Sequence, residues 1–382
     1  MDINQDSIDL HREKHGKLEV KSKVPVANRH DLSLAYTPGV GAVSEAVSAD
    51  PSLTYELTLK GNTVAIVSDG SAVLGLGNLG PAGAIPVMEG KAVLFKEFAN
   101  IDGFPICLDT QDVEQIIQTV KNIAPVFGGI NLEDISAPRC FEIEERLRAE
   151  LPIPVMHDDQ HGTAVVVLAG LINSLKLRGS KKEEVKIVVN GAGAAGTAIV
   201  KILADYGFKH FTLCDSQGII YKDRGGLNGE KTKLIEYLEG FKNEYKPVGG
   251  TLREAMIGQD IFIGVSKGNL VDAEMVRSMN SQPIIFALAN PTPEIMPDVA
   301  KEAGAFVVAT GRSDFPNQIN NVLAFPGIFR GALDNHIKQF DDAMFLRSAE
   351  ALAGCVVNPN TDQVLPDPFD KTIVGKIAEV IK

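Results

Sequence analysis

The chain has no tryptophan, and aromatic residues make up only 6% of its 382 positions. Aliphatic side chains must therefore build the interior. They suffice, because 45% of residues are apolar and 23% charged, a balance that excludes a disordered or fibrous chain. Cysteine is scarce. Cys107, Cys140, Cys214 and Cys355 lie far apart with no CxxC pair, and they read as thiols of a reducing cytosol rather than a disulfide framework. Positive charge is also short: 37 Lys and Arg face 49 Asp and Glu, for a net charge of −12. That deficit argues against nucleic acid or an anionic membrane as partner, while leaving room for a small anion at a local positive site. No apolar run approaches the ~20 residues of a membrane-spanning helix; the longest is Ala164–Leu175. The acidic start, Met1 to Asp6, lacks the basic and apolar stretches of a signal peptide. The expected compartment is the cytoplasm.

What is present is an alternation. Apolar runs rich in Val and Ile, at 63–68, 105–108, 129–132 and 153–156, are separated by segments of helical period such as 112–127 and 139–151. A second series runs through 185–190, 210–214, 260–265, 284–288 and 306–309. Continuous apolar strands alternating with helices predict parallel sheets covered on both faces, an α/β fold. A chain of this length also exceeds what one hydrophobic core usually serves. Two domains are expected: an N-terminal α/β catalytic unit over residues 1–161, and a doubly wound Rossmann unit over 162–382. The predicted helix 162–177 would connect them, and a terminal amphipathic helix over 370–382 could pack back. No repeat or low-complexity tract interrupts this pattern.

The strand 185–190 runs into Gly191-Ala192-Gly193-Ala194-Ala195-Gly196 and then a helical segment. At a strand-to-helix turn this GxGxxG spacing has a mechanism. The first glycine permits the tight turn, the second lets backbone approach a pyrophosphate, and the third lets helix pack on strand. The helix N-terminus then favours the phosphate charge. Asp215, 19 residues beyond Gly196, ends the next strand, where an acidic residue binds the ribose. Its charge favours NAD over NADP, although Lys222 and Arg224 nearby keep NADP open.

The first half carries acidic pairs at two strand ends, Glu133-Asp134 and Asp158-Asp159. Carboxyl ends of parallel strands share one edge, so these side chains could converge on a hard cation such as Mg²⁺ or Mn²⁺. They could equally be two helix N-caps. His157 and His161 flank the second pair with a spacing loosely like HExxH, but Asp replaces the motif's Glu and no third ligand is evident, which disfavours zinc. Lys91 lies in the apolar helical run 83–95; it either snorkels to solvent or sits in a cleft with a lowered pKa. The glycine-rich stretch 70–80 suggests a loop approached closely by a ligand.

Together these segments closely resemble the small, bacterial-type malic enzymes, from about Arg29 to the C-terminus. The matching stretches are AYTPGVG at 35–41, the 69–80 loop, Gly90-Lys91, Leu132-Glu133-Asp134, HDDQHGTA at 157–164, Gly191–Gly196, FALANPT at 286–292 and QINNVLAFPG at 318–327. The resemblance implies oxidative decarboxylation of (S)-malate to pyruvate and CO₂ with reduction of NAD(P)⁺, and oxaloacetate decarboxylation as a side activity. It implies Tyr36 as proton donor, Lys91 as general base with its pKa brought near 7, and Asp158 as the acidic neighbour of that lysine. Glu133, Asp134 and Asp159 fall on the Mn²⁺ or Mg²⁺ ligands, while Asn290, Asn320 and Asn321 fall on residues that hold the substrate carboxylate and nicotinamide. A homodimer is also implied. One departure stands out: Ala72 occupies the place where larger relatives carry a substrate-binding arginine, and Asn78 the place of an Asp. The competing readings are a metal-independent amino-acid-dehydrogenase-like oxidoreductase and a catalytically silent nucleotide-binding module; the retained carboxylate trio, Lys91 and Tyr36 speak against both.

Overall fold

A computed structural model describes residues 3–240 and 249–382; Met1 and Asp2 of the acidic start lie outside the described residues. Two sheets form. In the first, β1 (Thr63–Ser68), β2 (Asp102–Cys107), β3 (Gly129–Leu132) and β4 (Val155–His157) run parallel in the order β2-β1-β3-β4. The second holds β5 (Lys186–Asn190), β6 (His210–Asp215), β7 (Gly218–Ile219), β8 (Ile261–Gly264), β9 (Ile284–Ala287) and β10 (Val307–Thr310) in the order β10-β9-β8-β5-β6-β7. All neighbours in it are parallel except β6 and β7, a two-residue antiparallel return that the sequence pattern does not announce.

The α/β expectation is met, and the central strands are apolar throughout because both their faces are covered: Val64 to Val67 and Ile261 to Ile263 are fully buried. Each sheet changes direction once, the first between β1 and β3, the second between β5 and β8. Such switch points open a crevice beyond the carboxyl ends of the strands, where ligands bind.

Helix 158–178 joins the two sheets. It starts at Asp158 rather than Gly162, and its residues 164–169 are all buried. A helix apolar on every side is one packed on every side. Its C-terminus is anchored by Arg178, 2.6 Å from Asp260. The chain finally returns to the first sheet. Helix 325–334 packs on helix 80–99 and carries helix 372–378 against it, with the Phe95 ring 4.7 Å from Phe325 and 5.4 Å from Phe329.

The N-terminal helices differ in kind. Helices 3–14, 29–35 and 39–49 bury no residue, and Val20, Val24, Val26, Leu32, Leu34, Tyr36, Val40 and Val43 are all exposed. None of the described helices is long and apolar enough to cross a membrane.

Candidate active site

The first crevice gathers the acidic pairs. Glu133 and Asp134 follow β3, and Asp158 and Asp159 follow β4; one carboxylate oxygen each from Glu133, Asp134 and Asp159 lies within 4.8 Å of the others. Asp134 sits at positive φ and its amide donates to Asp159 Oδ2 at 2.9 Å, which sets both side chains. Glu133 is fixed by Asn131 Nδ2 at 2.8 Å. The three carboxylates converge, and helix 158–178 begins without a side-chain cap.

Lys91 enters from helix 80–99. Its Nζ lies 2.6 Å from Asp158 Oδ2, 2.9 Å from Glu133 Oε1 and 3.5 Å from Asn321 Oδ1, with the Phe325 ring 4.4 Å away. Only 7% of the residue is exposed, so it does not snorkel. The expectation of a lowered pKa, however, is corrected. Burial alone favours the neutral amine, but Asp158 and Glu133 outweigh it and push the pKa above the ordinary lysine value, so the group is an ammonium in this arrangement.

The carboxylates bear the opposite strain. Burial, with Asp159 and Glu133 beside it, pushes Asp134 up to about 9. Burial likewise raises Glu133 and Asp158, against the pull of Lys91. Asp134 Oδ2 and Asp158 Oδ1 are buried without a hydrogen-bond partner among the described residues. Three converging acids with one orphaned oxygen are an all-oxygen donor set that suits Mg²⁺ or Mn²⁺.

His157 is fully buried, while His161 Nε2 lies 3.0 Å from Glu144 and its ring stacks on Phe345. The only metal-type cluster among the described residues is the carboxylate trio, so the HExxH-like spacing does not make a zinc site.

The second crevice carries the glycine fingerprint. Gly191 has φ +121°, and a Cβ there would sit 2.8 Å from the Val265 carbonyl oxygen. A Cβ on Gly196 would sit 1.7 Å from the Gly191 carbonyl oxygen, so helix and strand meet only because it is absent. A Cβ on Gly193, which precedes helix 194–206, would face open space; this is the position where backbone can approach a ligand. Ala192, Ala194 and Ala195 complete the turn.

Asp215 does end β6, but its carboxylate is already engaged. Arg224 holds both its oxygens at 2.9 and 2.5 Å, Lys231 lies 2.5 Å away, and Gln217 N–H donates to it. Burial would raise its pKa; the Arg224 and Lys231 contacts prevail and hold it far below the usual carboxylate range. Lys222 points to Glu239 instead.

The two crevices face each other. A Cβ on Gly75, in the loop after β1, would lie 2.6 Å from the carbonyl oxygen of Asn290, just beyond β9. Asn321 reaches Lys91, whereas Asn320 spends its side-chain oxygen capping Val322 N–H at 2.9 Å. The structure thus unites Lys91, Asp158, Glu133, Asp134, Asp159 and Asn321. Tyr36 stands apart: it is 67% exposed at the end of helix 29–35, and its hydroxyl makes no hydrogen bond among the described residues.

Sequence reasoning passed over several participants. Gly162 must be glycine, since a Cβ there would lie 1.8 Å from Asp158 Oδ1. Asp69, fully buried, binds Ser71 N–H and the Arg139 guanidinium at 2.9 and 2.8 Å and so shapes the glycine-rich loop. Glu144 and Asn131 hold the acidic turns. The position of Gly162 beside an acidic pair was a readable hint; the other contacts join residues far apart in sequence and left none.

Known proteins resemble the chain along nearly its whole length. Residues 15–148 match the malic enzyme N-terminal domain, and residues 160–373 the malic enzyme NAD-binding domain. The chain is 53% identical, over its whole length and 92% of the relative, to the bifunctional malic/malolactic enzyme of Bacillus subtilis. It is 53% identical to the NAD-dependent malic enzyme of Geobacillus stearothermophilus, over 96% of this chain and 76% of that one. More distant relatives include an NADP-dependent malic enzyme of Rhizobium meliloti. The crystal structure of the Thermotoga maritima NAD-dependent malic enzyme superposes with a TM-score of 0.94 at 50% identity, covering 98% of each chain. With the two matched domains covering residues 15–148 and 160–373, most of its length, the chain belongs to the malic enzyme family.

Proposed function

We propose that the protein oxidises (S)-malate and decarboxylates it to pyruvate and CO₂, with NAD(P)⁺ as hydride acceptor. The observation that carries this reading is Lys91 wedged between Asp158 and Glu133, at 2.6 and 2.9 Å, on the rim of a carboxylate trio.

Glu133, Asp134 and Asp159 are the residues that would hold Mn²⁺ or Mg²⁺. An ion bound there supplies charge that polarises the C2 oxygen and stabilises an enolate when CO₂ departs. Lys91 acts as the base for the malate hydroxyl. To be ready it must shed its own proton, and Asp158, whose pKa burial raises, is placed to take it. Asn321 orients the amine and, with Asn290 and Asn320, belongs to the rim that meets the substrate carboxylate and nicotinamide. The Gly191–Gly196 turn and helix 194–206 bind the pyrophosphate.

We divide the chain near residue 161, with residues 162–382 as the nucleotide-binding unit and its last helix folded back. The cofactor preference follows from charge. Asp215 would repel a 2′-phosphate if free, but Arg224 and Lys231 leave that corner with one net positive charge. We infer that NADP⁺ is accepted alongside NAD⁺. The exposed apolar surface of the first 50 residues supports a homodimer in which Tyr36 is delivered as proton donor to the partner's site. Four free cysteines fit a cytoplasmic location.

The test is steady-state turnover of the purified protein on (S)-malate with Mn²⁺ and each cofactor, following NAD(P)H and pyruvate. Pyruvate should appear in step with reduced cofactor and vanish after exhaustive EDTA treatment. Full turnover in EDTA would overturn the metal assignment. Lactate should be measured too, because the Bacillus subtilis relative is named for both malic and malolactic activity.

A further inference from the structure

Glu144, on helix 139–150, is a buried carboxylate to which the proposed chemistry gives no task; only 5% of it is exposed. Its Oε1 accepts the His157 amide at 2.9 Å and lies 3.0 Å from His161 Nε2, while its Oε2 accepts from Gln160 Nε2 at 2.9 Å. All three groups belong to residues 157–161, the turn from β4 into helix 158–178. That turn also bears Asp158 and Asp159.

The turn has little else to hold it. Its helix begins with no side-chain cap. The buried His157 ring has neither nitrogen hydrogen-bonded among the described residues, and its Nδ1 is 3.8 Å from Asp159, beyond hydrogen-bond range. A carboxylate from another helix thus accepts the orphan N–H at the helix start, where negative charge is favoured. The two neighbouring aspartates meanwhile face different partners. Asp158 meets Lys91 and Asp159 meets the Asp134 amide; a small rotation of the turn would misplace both at once.

We propose that Glu144 is a positioning residue for the cation site: by binding residues 157, 160 and 161 together it fixes the direction in which Asp159 is presented. This rests on the reading of Asp159 as a metal ligand. Partners that orient metal ligands from behind typically govern affinity by 10–100-fold.

The experiment measures Mn²⁺ binding by the free-ion EPR signal, on protein without substrate, with the NAD⁺ dissociation constant as control. Glu144→Gln keeps the shape but turns one accepting oxygen into a donor facing other donors. Mn²⁺ affinity should fall at least about tenfold while NAD⁺ affinity stays within about twofold. Unchanged Mn²⁺ affinity overturns the proposal, and so does an equal loss of both, which marks general damage to the fold. If Glu144→Gln does not fold, Gln160→Ala and His161→Ala each remove one contact and should each weaken Mn²⁺ severalfold; no change in either is equally decisive against it. Asp159→Asn is the reference arm. If it binds Mn²⁺ as the unmodified protein does, the ligand assignment has failed, whatever Glu144 does.

Discussion

Replacing Lys91 with methionine separates what the lysine does for the fold from what it does for the reaction. Methionine keeps an unbranched apolar stem beside Phe325 but removes the ammonium. Asp158, fully buried, and Glu133, 4% exposed, then lose their shared cation. Stripping one partner from a buried ion pair costs about 3–5 kcal/mol. The lower end applies here, since Asp158 can relieve the repulsion by taking up a proton. At about 2–4 °C per kcal/mol for a unit of 150–250 residues, the unfolding transition of the first sheet should fall by roughly 6–12 °C in EDTA. Mn²⁺ should recover part of that loss, because a divalent ion neutralises Glu133 as the ammonium did. Lys91→Met should therefore bind Mn²⁺ at least as tightly as the unmodified protein, yet turn over no malate. Calorimetric scans in EDTA and in Mn²⁺, with an EPR titration, read all three effects. A variant that melts with the unmodified protein in EDTA would refute the argument, and weakened Mn²⁺ binding would show that lysine and metal do not compete for Glu133.

Gly196→Ala pushes a methyl against the Gly191 carbonyl oxygen, and its cost of about 1–3 kcal/mol should weaken NAD⁺ binding about tenfold, measured by titration, while Mn²⁺ affinity is unchanged. Coexpressed Tyr36→Phe and Lys91→Met chains should regain about a quarter of full turnover if sites are shared across a dimer, since half of the dimers are mixed and each of those rebuilds one complete site; no regain would place Tyr36 in its own subunit's site. Asp260 responds to acid. Burial raises its pKa, but Arg178, the Lys186 amide and Asn280 hold it below the ordinary value. Its stabilisation is thus complete above the unfolded pKa of ~3.9 and lost as pH falls below it. Asp260→Asn should lower the melting temperature at pH 7 and approach the unmodified protein as pH falls below the unfolded pKa of ~3.9; a constant gap between the two curves would contradict this.

Much of the architecture could be read from the chain because the central strands are covered on both faces. Thr63–Ser68 and Gly129–Leu132 fall where the apolar runs place them, and helix 194–206 follows its glycine turn. Residues 158–161 escaped the helical reading because two acids and a histidine break the apolar pattern; Lys91 and the Asp134 amide meet the acids, and Glu144 meets the histidine. The convergence of Glu133, Asp134 and Asp159 was legible as a possibility, since strand ends share an edge, and the family resemblance selected it. The charge on Lys91 was not legible. Burial and ion pairing push its pKa in opposite directions, and only distances decide between them. Likewise Asp215 looked free in sequence because Lys231, 16 residues on, shows no sign of turning back towards it.

Helix 158–178 has its acidic first turn among the groups assigned to proton and metal chemistry, and its flank against helix 194–206, which opens at the nucleotide fingerprint. The two halves of the reaction are therefore geared to one shaft. Inserting a single residue midway along it would turn everything beyond by about 100° and advance it by about 1.5 Å, carrying the hydride acceptor off its donor. Length variation among homologous chains should accumulate in the surface connections and spare this stretch.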